Sequence, residues 1–391
     1  MPELALDSQR LVDLALEATG LADFGADTWR EGLDRLVAAL RDEAHLHELG
    51  EQLAAGEIVD YLSTRLGLIE WRSQHPEIAT VDVVPPIVIV GQARTGTTIL
   101  HDLLAQDPAN RVPLTWEVDR PLTPPETATF DSDPRIAASE ELLSGVELLI
   151  PGFQAMHPIG ALLPQECVRM TGGDFRSMIF PTQYRVPSYA QWLIDEADMA
   201  PAYRYHRIFL QHLQSRHPAP RWVLKSPGHL WCLGALLDEY PNALLVQTHR
   251  DPLRIIASLT SLMSVLRRLG SDAISLPDIA SEFAAYLVEG LDRSVTARED
   301  GTVPAGRVVD VQFREFMSDP FATIGAIYER LGLDLAPASE QRMLEFLADN
   351  TTEKHGGHNY TWADTGLDLG EWRERTRRYQ EYFDVPSESL D

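Results

Sequence analysis

Cysteine is nearly absent from this chain: among 391 residues only Cys167 and Cys232 occur, far apart in the sequence. Such a pair can build neither a disulfide framework nor a zinc site with ordinary ligand spacing. Long apolar runs are missing as well, because no stretch approaches the roughly 18 residues of a membrane span. The N-terminus lacks a basic region followed by an apolar run. We therefore expect a cytoplasmic protein that is not inserted into a membrane.

Basic residues are scarce too: 33 Lys and Arg stand against 59 Asp and Glu, which gives a formal net charge of -26. Because a phosphate backbone binds to a basic surface, we expect no nucleic-acid partner. The chain is long enough for a large core, as one α/β domain with an extension or as two domains. An anionic ligand would have to be held by a local cluster of basic side chains.

One stretch has the pattern of a strand, a tight loop and a helix. Ile87–Val90 is a run of β-branched apolar residues typical of a central parallel strand, and the apolar spacing from Thr97 onward predicts a helix. The loop between them can direct backbone N–H groups and a helix N-terminus at a phosphate. Gly91 and Gly96 have P-loop spacing, but Thr97 stands where a P-loop has lysine, and the cation is Arg94 instead. This displaced cation favours a shorter phosphate ester over a triphosphate.

Short apolar runs that alternate with helical segments predict the rest of the fold. Further strands are predicted at residues 221–225, 243–248 and 307–311. Such alternation is typical of an α/β fold with a P-loop-like parallel sheet flanked by helices. Before the sheet, helical periodicity with glycine-containing breaks predicts an N-terminal helical extension. We place this extension at residues 1–80 and the α/β domain at residues 81–391.

The loop residues Arg94-Thr95-Gly96-Thr97-Thr98 resemble the 5′-phosphosulfate loop of one enzyme family. That family is the sulfotransferases that use 3′-phosphoadenosine 5′-phosphosulfate (PAPS), in which the loop reads roughly Lys/Arg-x-Gly-Thr-Thr. The resemblance implies that these residues bind PAPS and that a sulfuryl group is transferred to a hydroxyl group of a small-molecule, lipid or sugar acceptor. The product would be 3′-phosphoadenosine 5′-phosphate (PAP). The family requires no metal, and no acidic pair or histidine cluster with ligand spacing lies near the loop.

A second motif of the same family holds the 3′-phosphate of the cofactor, through an Arg followed eight residues later by a Ser. Arg250 and Ser258 match this motif. Arg offers a phosphate two parallel hydrogen bonds, and Ser258, on the helix predicted to follow, can donate its hydroxyl to the same group. Related sulfotransferases also close a basic, glycine-containing C-terminal loop over this phosphate. The turn with Lys354 and Gly356 is its predicted counterpart.

The predicted catalytic cations follow the strands. Ligands of a parallel sheet bind at the carboxyl ends of its strands, and Arg94, Lys225 and Arg250 each follow a predicted strand. Sulfuryl transfer resembles phosphoryl transfer, in which negative charge grows on the departing group. We expect Arg94 and Lys225 to stabilise this charge electrostatically. Because Arg does not readily give up a proton, stabilisation rather than acid catalysis is its expected role.

A base must take the proton of the acceptor hydroxyl, and three residues are candidates. Glu117 comes first, since it lies close to the position where sulfotransferases acting on glucosamine units have their catalytic Glu. His229 follows Lys225 near the His of the cytosolic sulfotransferases, although Pro227 takes the matching offset. Glu166 is the third candidate, on the segment predicted to line the acceptor pocket.

The acceptor pocket is predicted in the proline-rich segment at about residues 109–220, where long loops separate short helical pieces. Long loops within a compact domain usually have a function. The aromatic and apolar candidates for its wall are Trp116, Phe153, Met156, Phe175, Phe180, Tyr184, Tyr189 and Trp192.

Two other functions stay open on the sequence alone. A P-loop kinase or other NTPase would need the lysine that is missing at Thr97 and a clear acidic ligand for Mg²⁺. A non-catalytic nucleotide-binding interaction protein would use the N-terminal helices as its surface. The same helices suit packing against the core or against a second subunit, so a homo-oligomer is a further expectation.

Overall fold

A parallel β-sheet forms the centre of the protein. In a computed structural model, the described residues are 6–84, 86–149, 158–218, 220–350 and 361–390. They contain a sheet with the strand order β2-β1-β3-β4. Its parallel strands are β1 Ile87–Val90, β2 Val223–Lys225, β3 Leu244–His249 and β4 Val308–Gln312. Each strand overlaps its predicted segment, so the predicted parallel sheet is confirmed.

Burial explains why these short runs form strands. Every residue of β1 and β3, the two inner strands, is buried, and β2 is buried throughout as well. Helices therefore cover both faces, and β-branched residues on either side of the strand lose their contact with water. β4, one of the two edge strands, is partly exposed, with Val308 and Val311 buried and Asp310 exposed.

Among the described residues, three α-helices precede the sheet. They are α1 Ser8–Thr19, α2 Trp29–Glu43 and α3 Glu48–Gln74. Their apolar sides share one hydrophobic core with aromatic residues of the predicted acceptor segment, namely Phe175, Phe180, Tyr184, Tyr189 and Trp192. The predicted helical extension is thus present and packs against that segment. The division into domains near residue 80 stays a prediction.

Short helices joined by loops make up the chain between β1 and β2. They are α4 Thr97–Leu104, α5 Thr115–Asp119, α6 Pro134–Leu149, α7 Cys167–Thr171, α8 Ile179–Gln183, α9 Pro187–Asp195 and α10 Ala200–Gln214. Pro187 and Pro201 stand in the first turns of α9 and α10, where proline suits the backbone and no N–H donor is lost.

The remaining helices alternate with the strands and close the fold. They are α11 Leu233–Glu239, α12 Pro252–Arg268, α13 Leu276–Glu299, α14 Phe313–Ser318, α15 Pro320–Leu331, α16 Pro337–Asp349, α17 Leu369–Arg375 and α18 Arg377–Tyr382. In the described ranges, no helix combines the length and the apolar character needed to cross a membrane.

Candidate active site

The loop between β1 and α4 turns through residues with positive φ angles. These are Gly91 at 134°, Arg94 at 71° and Gly96 at 87°. A Cβ atom at Gly91 would collide with the hydroxyl group of Thr248 on the neighbouring strand β3. Glycine is therefore required there both by the backbone angle and by the close approach of the two strands.

Thr95 holds this loop in place. Its Oγ1 donates a hydrogen bond to the carbonyl oxygen of Gln92 at 2.6 Å and lies 2.6 Å from Oγ1 of Thr248. Immediately afterwards Thr97 begins α4, so the first N–H groups of the helix face the loop. Fixed backbone donors and the positive end of a helix dipole at one place suit a phosphate group.

Arg94 links the loop to the second predicted phosphate-binding motif. Its Nε donates to Oγ of Ser258 at 3.0 Å, although the two residues are 164 positions apart. The carbonyl oxygen of Arg94 accepts a hydrogen bond from Nη1 of Arg250 at 2.8 Å. Because Arg250 follows β3 and Ser258 lies on α12, the two motifs meet at the carboxyl ends of β1 and β3.

Arg250 also contacts a residue that the sequence analysis did not single out. Its Nε and Nη2 donate to the two carboxylate oxygens of Glu388 at 3.0 and 3.2 Å. The guanidinium lies over the ring of Phe313, 4.0 Å from its centroid. The side chains of Arg250 and Glu388 are each only 15% exposed, so water screens this ion pair weakly.

Lys225 is a buried cation at the end of β2, with 2% of its side chain exposed. Its Nζ donates to Oε1 of Glu166 at 2.5 Å and to Oγ1 of Thr98 at 3.5 Å. Asp102 lies one turn after Thr98 on α4, and burial raises its pKa to about 6 against the opposing effect of the Lys225 charge. The sequence analysis missed Asp102, although its spacing of four residues from Thr98 puts both on one helix face.

Glu117, our first candidate for the base, is fully buried and has structural partners. Oε2 accepts a hydrogen bond from Nη2 of Arg111 at 2.7 Å, and Oε1 accepts the backbone N–H of Leu114 at 2.9 Å. Burial raises the pKa of this carboxyl group. Both oxygens are used to pair Arg111 and to cap α5, and the role of Glu117 as the base stays a prediction.

His229 lies on a short 3₁₀ helix, Pro227–Trp231, that packs against β1. Its Nδ1 is 2.7 Å from the hydroxyl oxygen of Tyr203, and burial lowers its pKa to about 3. It borders a cavity of about 210 Å³ whose lining includes neither Arg94 nor Lys225. The role of His229 as the base stays a prediction.

A larger cavity of about 690 Å³ lies between α3 and the predicted acceptor segment. Arg169 and Arg120 are its cationic lining residues, and Arg169 donates to Glu57 at 3.3 Å and to Asp119 at 3.0 Å. Tyr184 donates its hydroxyl to Glu57 at 3.1 Å, and burial raises the pKa of Glu57. Apolar and aromatic residues complete the wall, among them Tyr61, Val118, Met170, Tyr205, Phe209 and Leu266.

The predicted wall residues of the acceptor pocket divide between this cavity and the core. Tyr184 lines the cavity. The residues Phe175, Phe180, Tyr189 and Trp192 instead pack in the core shared with the N-terminal helices, and Trp116 packs against Phe130. Phe153 and Met156 lie outside the described residues, as do the predicted cofactor residues Lys354 and Gly356.

Acidic and histidine side chains form no candidate metal centre in the parts of the chain that the structure describes. The basic groups at the strand ends are therefore the charges available there to a phosphate ester: Arg94, Lys225 and Arg250. Their arrangement can bind a nucleotide that carries separate anionic groups.

Comparison with known proteins agrees with this chemistry. The model of the Sulfotransferase family matches residues 85–337. Two curated relatives are the omega-hydroxy-beta-dihydromenaquinone-9 sulfotransferases Stf3 of Mycobacterium bovis and Mycobacterium tuberculosis. Each is 26% identical over 312 residues, which cover 77% of this chain and 76% of the relative.

Solved structures are similar over nearly the whole chain. Sulfotransferase STF9 from Mycobacterium avium has a TM-score of 0.89 and 29% identity, with 97% of both chains covered. Sulfotransferase STF1 from Mycobacterium tuberculosis has a TM-score of 0.84 and 32% identity, with 95% of this chain and 99% of that chain covered. These similarities favour a transferase over the kinase and non-catalytic alternatives. The chain belongs to the sulfotransferase family.

Proposed function

We propose that this enzyme transfers the sulfuryl group of PAPS to a hydroxyl group of a lipid-like acceptor. The observation that carries the proposal is the contact of Arg94 with Ser258 at 3.0 Å, joined by Arg250 on the Arg94 carbonyl oxygen at 2.8 Å. The two motifs that resemble the 5′-phosphosulfate and 3′-phosphate elements of the family are thereby neighbours. One nucleotide with anionic groups at its 5′ and 3′ positions can contact both.

In the proposed donor site, different residues bind the two anionic ends of the nucleotide. Thr95, Gly96, Thr97 and Thr98 offer backbone N–H groups and hydroxyls to the 5′-phosphosulfate, and Arg250 with Ser258 binds the 3′-phosphate. PAPS supplies the sulfuryl group and leaves as PAP. As the sulfur–oxygen bond to the phosphate breaks, its electron pair stays on the phosphate, and the cations of the site stabilise that charge. No step of this scheme uses a metal ion.

Lys225 is well suited to this stabilising role. It is buried, its ammonium group lies 3.5 Å from the Thr98 hydroxyl on α4, and its other contact is a carboxylate that it can exchange for an anionic ligand. In a dry site a cation interacts with developing charge more strongly than in water. Arg94, in the loop between β1 and α4, supplies the second positive charge.

We assign the base to Glu166 rather than to Glu117. The Glu166 carboxylate touches Lys225 at 2.5 Å and is 21% exposed, whereas the Glu117 side chain is fully buried against Arg111. A base must be within hydrogen-bond reach of the acceptor hydroxyl, so a partly exposed carboxylate beside the catalytic cation is the better candidate. The acceptor oxygen then forms the new bond to sulfur, and its proton passes to Glu166.

The large cavity is our proposed acceptor site. Its wall is mostly apolar and aromatic, as is common for sites that bind lipid-like molecules. Arg169 in this wall follows Glu166 by one turn of α7, which puts the proposed base close to one side of the cavity. The name of the relative Stf3 describes a hydroxylated menaquinone derivative as its substrate, which is also an apolar molecule with a hydroxyl group.

Transfer of label tests the proposal. The protein is incubated with ³⁵S-labelled PAPS and either omega-hydroxy-beta-dihydromenaquinone-9 or a total lipid extract, in the presence of EDTA. Parallel samples contain ³²P-labelled ATP with Mg²⁺. We expect ³⁵S in a lipid product and no ³²P transfer. Transfer of ³²P without any transfer of ³⁵S would refute the proposal and restore the kinase alternative.

A further inference from the structure

The C-terminal segment holds the Arg that we assign to the 3′-phosphate. Arg250 donates to Glu388 through Nε at 3.0 Å and Nη2 at 3.2 Å, which is the two-bond geometry that Arg uses for a phosphate. Its remaining nitrogen, Nη1, donates to the Arg94 carbonyl oxygen. A 3′-phosphate can gain the two-bond side of this guanidinium only by replacing the Glu388 carboxylate.

The other proposed ligand of the 3′-phosphate also has an internal partner. Oγ of Ser258 accepts a hydrogen bond from Nε of Arg94 at 3.0 Å. Binding of a 3′-phosphate therefore exchanges existing contacts and does not simply fill available donors. Breaking the contacts of Arg250 with Glu388 and of Ser258 with Arg94 costs binding free energy, and a nucleotide without a 3′-phosphate does not have to break them.

Residues 386–390, which we call the C-terminal strap, are attached by polar contacts and by Leu390, which packs against the core around α12 and α13. The backbone N–H of Glu388 donates to Oδ2 of Asp251 at 2.6 Å, and Nη2 of Arg314 donates to the carbonyl oxygen of Ser387 at 3.3 Å. Val385, just before the strap, is buried in the core, whereas Ser387 is exposed. Leu390, at the other end of the strap, is partly buried against the same core, so the displacement that the site requires is that of the Glu388 side chain between these two apolar contacts.

Asp251 fixes the position of the strap by accepting the backbone N–H of Glu388. Its carboxylate is held by Arg373 through two hydrogen bonds at 2.7 and 3.1 Å, and it also caps α12 through the N–H of Leu253. This fixed acceptor aligns the Glu388 backbone so that its side chain meets Arg250. The ion pair is thus held from both the backbone and the side chain of Glu388.

We propose that Glu388 is an internal competitor of the donor's 3′-phosphate, and that its side chain must leave Arg250 when PAPS or PAP binds. The inference rests on the proposed function, because it takes Arg250 as the 3′-phosphate ligand. A carboxylate and a phosphate cannot share the same fork of donors, since both are anions. The strap therefore weakens binding of PAP but not of AMP, and it favours release of PAP after transfer.

Calorimetric titration of PAP and AMP tests this inference with the full-length chain. The test variant is Glu388→Gln, which keeps the shape of the side chain and removes its charge. The matched control is Glu381→Gln, which removes the same charge from an exposed site on α18, where the carboxylate lies 3.9 Å from Arg377. We expect Glu388→Gln to bind PAP about tenfold more tightly, because a larger fraction of the protein has Arg250 accessible. AMP affinity should change less than about twofold in both variants.

The outcomes distinguish failure of the proposed competitor role of Glu388 from failure of the 3′-phosphate assignment of Arg250. If PAP binds in preference to AMP but Glu388→Gln gains no PAP affinity, the competitor role is wrong and the 3′-phosphate site stands. If PAP and AMP bind equally in every variant, the 3′-phosphate assignment of Arg250 is wrong, and the strap inference falls with it. If Glu388→Gln gains the same factor for both nucleotides, Glu388 acts by general charge repulsion, which also refutes competition at Arg250.

Discussion

Two matched substitutions, Glu166→Gln and Glu117→Gln, separate the proposed base from a structural carboxylate. Each replaces a carboxylate by an amide of the same shape that has no negative charge and cannot serve as a base. We predict that Glu166→Gln lowers turnover by roughly 10²–10⁴, the usual contribution of a general base. PAP affinity should not fall, because loss of the Glu166 charge leaves the positive charge of Lys225 to the anionic nucleotide.

For stability the predicted order is reversed: Glu117→Gln should destabilise the protein more than Glu166→Gln does. Glu117 is fully buried against Arg111, and that Arg is also held by the carbonyl oxygen of Leu213 at 3.1 Å. Glu117→Gln leaves the buried guanidinium without its counter-charge, which should cost about 3–5 kcal/mol of unfolding free energy. Glu166 is 21% exposed, so water can replace the lost charge beside the buried Lys225, and Glu166→Gln should cost less unfolding free energy than Glu117→Gln.

Denaturant unfolding and ³⁵S transfer, measured on both variants, give the comparison. Activity is expressed per folded molecule, so that loss of folded protein is not counted as loss of catalysis. The reasoning would be refuted if Glu117→Gln were as stable as the unmodified protein but inactive, while Glu166→Gln kept more than about a tenth of the turnover. The role of base would then return to Glu117.

Three further predictions concern the charges of the site. Lys225→Met should lower turnover by about 10²–10³ with a smaller loss of PAP affinity, measured by single-turnover ³⁵S transfer and calorimetry, because the Lys meets charge that grows on the departing phosphate. Equal losses in both would contradict this. Arg250→Ala should weaken PAP binding by about 2 kcal/mol and leave AMP binding nearly unchanged, and an equal loss for AMP would place Arg250 elsewhere on the nucleotide. Asp102 has a folded-state pKa raised to about 6, so its ionisation opposes folding at neutral pH and the protein gains stability as pH falls through 6 towards 4. Asp102→Asn should therefore raise the unfolding free energy by about 1–3 kcal/mol at pH 7 and by much less near pH 4; a gain independent of pH would contradict the assigned pKa.

The sheet and its phosphate loop could be predicted because their signals are local. Four short apolar runs, each buried in the structure apart from the edge strand β4, carried the strand predictions. Gly91 and Gly96 made the loop predictable, because its backbone angles at these positions exclude most other residues. The meeting of Arg94 with Ser258 followed from a general property of parallel sheets, whose strands all end at the same edge.

Pairings between distant residues could not be predicted in the same way. Glu388 meets Arg250 from 138 positions away, and nothing in its own surroundings in the sequence indicates that contact. Glu166 and Lys225 form an ion pair although they are 59 positions apart in the sequence. The burial of Glu117 could not be predicted, because it depends on Arg111 and on the chain around Leu213, which only the tertiary fold brings together.

The N-terminal helices were predicted as helices but not as a wall of a cavity. A helical pattern indicates which side is apolar, but it does not identify the partner of that side. In the structure α3 contributes Glu57 and Tyr61 to the large cavity, beside Arg169 of α7. The proposed acceptor site is therefore shared between the extension and the predicted acceptor segment, which bears directly on the choice of acceptor.

The transfer of ³⁵S from PAPS to a hydroxylated lipid tests the central claim most directly. The unmodified protein and Arg94→Ala are compared with EDTA present, using omega-hydroxy-beta-dihydromenaquinone-9 and a total lipid extract as acceptors. The account predicts a ³⁵S-labelled lipid product with the unmodified protein and a loss of several orders of magnitude in turnover with Arg94→Ala. Transfer that is equally fast in Arg94→Ala, or no transfer to any lipid while PAP binds tightly, would contradict it.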